Sequence, residues 1–136
     1  MREIEFRGKD TETGKWVFGD LTHVYLSGNL YITNRYGNNY KIIPETIGQY
    51  TGLKDKNGKK IFEGHIVKRF RGVGYESKYH RMIHKNPVIH IFQVEYDNEN
   101  AQYKNLQEPD DIEFIVKFEV IGNIYDNPEL LIGNIK

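Results

Sequence analysis

The dipeptide Asn57-Gly58 constrains this chain more than any other feature. Asn-Gly supplies the two positive-φ residues of a type I′ hairpin turn. Lys54 to Lys60 is otherwise charged and reads as an exposed tip. Downstream, Ile61, Phe62, Ile66, Val67 and Phe70 bring the apolar and β-branched residues of a strand. Gly64 interrupts that strand, which predicts a bulge or a close backbone approach. Upstream, Pro44 removes a ladder donor and predicts a strand end near Ile43. Gly48 and Gly52 punctuate a loop around Gln49-Tyr50-Thr51. The whole stretch from Ile43 to Phe70 therefore reads as a corner in a β domain.

The remaining chain follows the same rule. Ile4 and Phe6 alternate with Glu3, Glu5 and Arg7, the pattern of a half-buried first strand. Turns are predicted at Asp10 to Gly14, Ser27 to Asn29 and Asn34 to Asn39; a strand at Trp16 to Phe18 ends at Gly19-Asp20, Leu21 to Leu26 continues extended, and further strands follow at Leu30 to Thr33 and Tyr40 to Ile43. Alternation returns over Val88 to Tyr96; Ile112 to Tyr125 is long and apolar, and Gly122-Asn123 predicts a bend in it. A short helix is expected around Asn100 to Leu106. Another starts at Asp126, with Asn127 as N-cap, Pro128 as first helical residue and Glu129 in the first turn. Ala occurs once, against ten Tyr and seven Phe, so strong helix formers are scarce. The fold class expected is mainly β, of antiparallel strands with one or two short helices. At 136 residues the default is a single domain over 1–136, with a variable excursion at about 72–87, where alternation fails.

Composition narrows the chemistry. With no cysteine, disulfides, thiol catalysis and Cys-ligated zinc are impossible. Neither Ser27 nor Ser77 lies in a nucleophile elbow, and Gly72-Val-Gly74 lacks the Gly-Lys-Ser/Thr of a phosphate loop. His80 and His84 stand four apart, but Arg81 occupies the place where a zinc protease carries Glu. Asp110 and Asp111 are adjacent, so on an extended chain they point to opposite faces. No catalytic, cofactor or metal residues are assigned, and no enzyme and no cofactor is expected. No apolar run suits a signal peptide or a membrane span, which predicts a soluble cytoplasmic protein without a membrane partner.

Zero net charge hides a polarity along the chain. Lys54 to Lys85 carries ten Lys/Arg against three Asp/Glu; Glu95 to Glu119 carries two Lys against eight Asp/Glu. Lys68, Arg69, Arg71, Lys78, His80, Arg81, His84 and Lys85 bracket Phe70, Tyr75 and Tyr79. Basic residues neutralise phosphate and aromatics stack on bases, so this segment is the candidate contact surface for nucleic acid or another partner. The plainer reading is a solvated charged face.

The chain resembles the YopX family of small phage and prophage proteins. The resemblance rests on Met1 to Arg7, on Ile43 to Gly64 with Ile66-Val67, and on Phe118 to Leu131. Family members usually carry Asp after the Glu-Gly pair, where this chain has His65. The resemblance implies barrel-like strand packing, a phage or prophage origin and a bacterial host cytoplasm. It implies no activity. The expectation is a binding module: self-associating as a homo-oligomer, or docking on a host or phage protein, with nucleic acid as the alternative partner.

Overall fold

The computed structural model describes residues 3–76, 81–83, 88–107 and 114–132; for 72–76, 81–83, 114 and 115 it describes the backbone alone. The chain forms two compact units, Met1–Leu53 with Lys60–Gly64, and Lys54–Lys59 with His65–Lys136.

The first unit is a six-stranded sheet. Its strands are β1 (Phe6–Lys9), β2 (Trp16–Val24), β3 (Asn29–Thr33), β4 (Asn39–Lys41), β5 (Gly48–Lys54) and β6 (Lys60–Phe62), in the order β4-β3-β2-β1-β5-β6. Its described pairings are antiparallel, with Arg7 opposite Phe18, Leu21 opposite Ile32 and Ile32 opposite Tyr40. Ile32, Ile42, Tyr50, Ile61 and Phe62 are buried in this unit.

The second unit is built on a long strand, β7 (His65–Glu76). One edge pairs with β12 (Phe114–Asn123); the other pairs with β8 (Arg81–Ile83) and β9 (Val88–Gln93). Ile66, Val67, Phe92, Val94 and Phe118 are buried here. A small hairpin, β10 (Tyr96–Asp97) and β11 (Gln102–Tyr103), and one short helix, α1 (Glu129–Ile132), complete it.

The mainly β, antiparallel architecture with one short helix agrees with the sequence. Several details differ, each for a local reason. Barrel closure is not found: among the described residues the six-stranded order ends at β4 and β6. The helix expected at 100–106 is the β10–β11 hairpin instead. There Asp97 accepts the N–H groups of Glu99 and Asn100 and the Asn100 side-chain amide, holding the backbone in a turn that a helix would have to break. Those contacts, led by the amide, hold the Asp97 carboxyl below its ordinary range. Asn127 stands just ahead of α1, but its Oδ1 accepts the Asn123 N–H, turning away from the helix. The excursion at 72–87 is partly ladder: β7 continues to Glu76 and pairs with β8. A backbone ladder needs no alternation of side chains, so poor alternation did not signal its absence.

The first strand is inverted relative to its pattern. Ile4 is 65% exposed and Arg7 only 4%. The Arg7 guanidinium lies 4.0 Å from the Trp16 ring centroid and 5.4 Å from that of Phe62, so stacking on aromatic faces carries it inside. Gly64 ends β6 in a turn at φ +87°, and β7 starts afresh at His65. Gly122 does mark an irregularity: the β12–β7 register shifts between Val120 and Gly122.

Asn57-Gly58 is a hairpin tip, though not of type I′. Only Gly58 has positive φ (+82°). The Gly58 N–H donates to the Asp55 carbonyl at 3.0 Å, and the Asp55 N–H to the Lys59 carbonyl at 2.8 Å. This is a three-residue loop with glycine in the left-handed position. Asp55 decides it. Its Oδ1 accepts the N–H groups of Asn57 and Lys59, both at 2.9 Å. Asn34 does the same for Tyr36 and Asn38 in the β3–β4 turn.

Candidate functional site

Strand alternation divides the basic segment. Successive side chains of β7 point to opposite faces, so Lys68 and Phe70 share one face and Arg69 and Arg71 the other. On the Lys68 face, Lys68 lies opposite Glu119 of β12, which is also ion-paired with Lys56 at 2.9 Å. Lys56 and Lys68 each place Nζ 5.4 Å from the Phe70 ring centroid. This face sets Lys56, Lys68 and Lys117, which lies opposite Phe70, against Glu119 around one aromatic ring.

The other face carries two arginines and no described carboxylate. Arg69 lies opposite His90 of β9, and Arg71 opposite Val88. Arg69 Nη2 donates to the Gln107 carbonyl at 3.4 Å. Its Nε is buried without a hydrogen-bond partner among the described residues. Burial first, and the neighbouring Arg71 second, lower the Arg69 pKa. Arg71 is exposed. Lys78, His80, His84 and Lys85 lie outside the described residues, and Arg81 is placed only as a strand residue opposite Glu76. The structure thus brings Arg69, Arg71 and His90 together and sets Lys68 apart. His65 is buried, and its carbonyl accepts the Val94 N–H at 2.8 Å. Among the described residues no group of three His, Asp or Glu side chains gathers as metal ligands do.

A second feature lies in the first unit. A groove of about 740 Å³ is lined by the aromatic side chains of Trp16, Phe18, Tyr36 and Tyr40, together with Ile4, Gly19, Asp20 and Thr33 among others. Its cations are Lys15, Arg35 and Lys60. Lys60 is held by Glu3 at 2.8 Å and Glu5 at 2.9 Å, and these hydrogen bonds raise its pKa. The Arg35 guanidinium lies 5.1 Å from the Tyr36 ring centroid.

From the groove end the β2–β3 hairpin runs outward as an arm. β1 pairs with β2 only as far as Gly19, opposite Phe6. Beyond it, Asp20 to Val24 pairs with β3 alone among the described residues. At the tip Val24 is 38% exposed, Tyr25 86% and Leu26 102%. Leu21 to Thr33 contains no Asp, Glu, Lys or Arg, in a chain where such residues make up 28%. Sequence reasoning attended to runs of charge and missed this gap in charge, which was the available signal.

No curated protein matches the chain. The crystal structure of protein EF1440 from Enterococcus faecalis is similar at 24% identity and a TM-score of 0.48, over 96% of this chain and 99% of that one. Among the described residues no helix is long and apolar enough to cross a membrane. The family profile described as YopX protein matches residues 5–132, in both units and nearly end to end, and the chain belongs to that family.

Proposed function

We propose that this YopX-family chain acts by binding rather than by catalysis, and that its working surface is the β2–β3 arm, which docks on protein. The observation that carries the reading is the tip: Tyr25 and Leu26 stand in water on a segment without charge. Exposed apolar residues clustered at one place mark interaction sites, whereas singly scattered ones need no explanation. β4 and Ile42 support β3 only as far as Leu30, so the tip beyond it is the part that something packing on the arm would steady. Such a role suits an accessory phage or prophage protein in a bacterial cytoplasm.

A second reading is favoured by Arg69, Arg71 and His90 sharing one face: contact with nucleic-acid phosphate, salt-sensitive and local in a chain of zero net charge.

One pair of measurements separates the two. A photo-crosslinking residue replacing Tyr25 is expected to give discrete protein adducts in cells, and the same residue replacing Glu12 in the exposed β1–β2 turn is expected to give none. Identical adducts from both positions, or none from Tyr25, would overturn the arm reading. Fluorescence anisotropy with single- and double-stranded oligonucleotides at ~50 mM salt tests the other. Binding with a slope of log affinity against log salt near −0.9 per duplex phosphate, reduced by about two units in Arg69→Ala/Arg71→Ala, would establish it.

A further inference from the structure

We infer that the arm's partner is a second copy of this chain, with two arms antiparallel along the Asp20 to Val24 edges and each Tyr25-Leu26 tip seated in the other copy's groove. The inference rests on the protein-docking role proposed for the arm.

Charge is the first argument. A two-fold contact sets a segment against itself, so any charge on it meets its own like. Leu21 to Thr33 has none, and the neutrality that such a contact requires covers the whole arm beyond its base. A partner chosen by charge would have left the opposite mark. Natural edge strands are commonly protected by lysine or proline, and this one carries neither from Leu21 to Val24.

The edge is the second. Asp20 to Val24 has β3 on one side and no strand on the other among the described residues. Its outward N–H and C=O groups form a template that another copy satisfies by antiparallel pairing. Centring the two-fold axis on this edge brings Thr22 opposite Thr22 of the second copy.

Length is the third. Four residue steps at about 3.3 Å make the edge about 13 Å long. The groove lies at its base, along Phe18 to Asp20, and the apolar tip at its far end. Antiparallel pairing of equal edges therefore brings the tip of one arm to the groove end of the other. A groove of about 740 Å³ is of the size that holds small-molecule ligands, and its aromatic walls suit Tyr25 and Leu26.

Area sets the stoichiometry. A Tyr side chain offers about 150–250 Å². One tip in one groove falls short of the roughly 1,200 Å² of a specific interface, whereas two reciprocal insertions with a paired edge between them approach it. The assembly is then a closed dimer, not an open chain.

Sedimentation of the full chain at micromolar concentration is expected to show a dimer of twice 16.0 kDa. Tyr25→Ser/Leu26→Ser is expected to return it to 16.0 kDa, with dissociation about a hundredfold or more easier. These side chains are solvent-exposed in the single chain, so the variant's circular dichroism should match the parent's. The absence of native cysteine permits a register test: Thr22→Cys should form an intermolecular disulfide under mild oxidation, and Glu12→Cys should not. A clean monomer at high micromolar concentration overturns the inference. So does a dimer that survives the tip variant, or one that gives no Thr22→Cys crosslink. If the Tyr25 photo-adduct has a mass other than two copies, the second-copy inference fails while the docking reading stands; with no adduct, the docking reading falls too.

Discussion

Asp55→Ala is expected to destabilise the second unit by about 2–4 kcal/mol, read as a lower denaturation midpoint in urea. Asp55 is 8% exposed and accepts three backbone N–H groups. Two lie in its own turn. The third is Val120 on β12, 3.0 Å from Oδ2. The Lys56 N–H donates to the Phe118 carbonyl at 2.8 Å, and Lys56 Nζ meets Glu119. The turn is therefore a clamp on the edge of β12. Hydrogen bonds to a charged acceptor contribute about 1.5–3 kcal/mol each, and three on one side chain do not add in full. Burial pushes the Asp55 carboxyl up, but the donors from Val120, Lys59 and Asn57 outweigh it, and the pKa is lowered. A group depressed on folding contributes stability that is complete above its unfolded pKa of about 3.9 and is lost as pH falls through the folded value. Asp55→Asn keeps the shape and one acceptor oxygen without the charge. The gap between parent and Asp55→Asn should therefore narrow as pH drops below about 4. A gap independent of pH would show that the charge contributes nothing to the clamp.

That residue also shows what the sequence could disclose. The tip at 57–58 was legible because Asn-Gly is turn chemistry. The loop type was not, because Asp55 chooses it by binding two N–H groups two and four residues ahead. The clamp on Val120 joins residues 65 apart in sequence, and no local pattern reports that. Barrel closure was unreadable for the same reason, since it depends on which distant edges meet. The stretch carrying most of the family resemblance makes the turn, the β12 clamp and the start of β7.

The candidate site was legible by the wrong measure. The basic residues form a run along the chain, while a strand distributes side chains with a period of two. Period two alone separates Lys68 from Arg69 and Arg71. The polarity of Arg7 points to solvent, yet its guanidinium faces stack on Trp16 and Phe62 inside the unit. The arm announces itself only as an absence of charge from Leu21 to Thr33, which averaged composition conceals.

Gly19→Ala is expected to be the most damaging single methyl in the first unit, at about 3–5 kcal/mol. A Cβ on Gly19 would stand 1.9 Å from the Thr33 carbonyl oxygen and 3.1 Å from Asn34 Cα. Both obstacles are backbone, so no rotamer change relieves them. Something must move, and what can move is the start of the β3–β4 turn or the β1–β2 pairing that ends at Gly19. Overpacking costs about 1–3 kcal/mol where side chains can adjust, and more where the main chain must shift. At about 3–5 °C per kcal/mol for a chain of this size, the melting temperature should fall by about 10–20 °C. Gly14→Ala is the control. Gly14 has φ +70° and nothing within 4 Å of a built Cβ, so the same methyl there brings backbone strain without collision, at about 1–2 kcal/mol. Equal losses at the two positions would mean that the close approach at Gly19 is absorbed by small adjustments. The larger loss at Gly19 would show that the arm begins at a junction with no room for a side chain. The groove shares that junction, since Gly19, Asp20 and Thr33 line it, so a chain that survives Gly19→Ala should also lose whatever docks there.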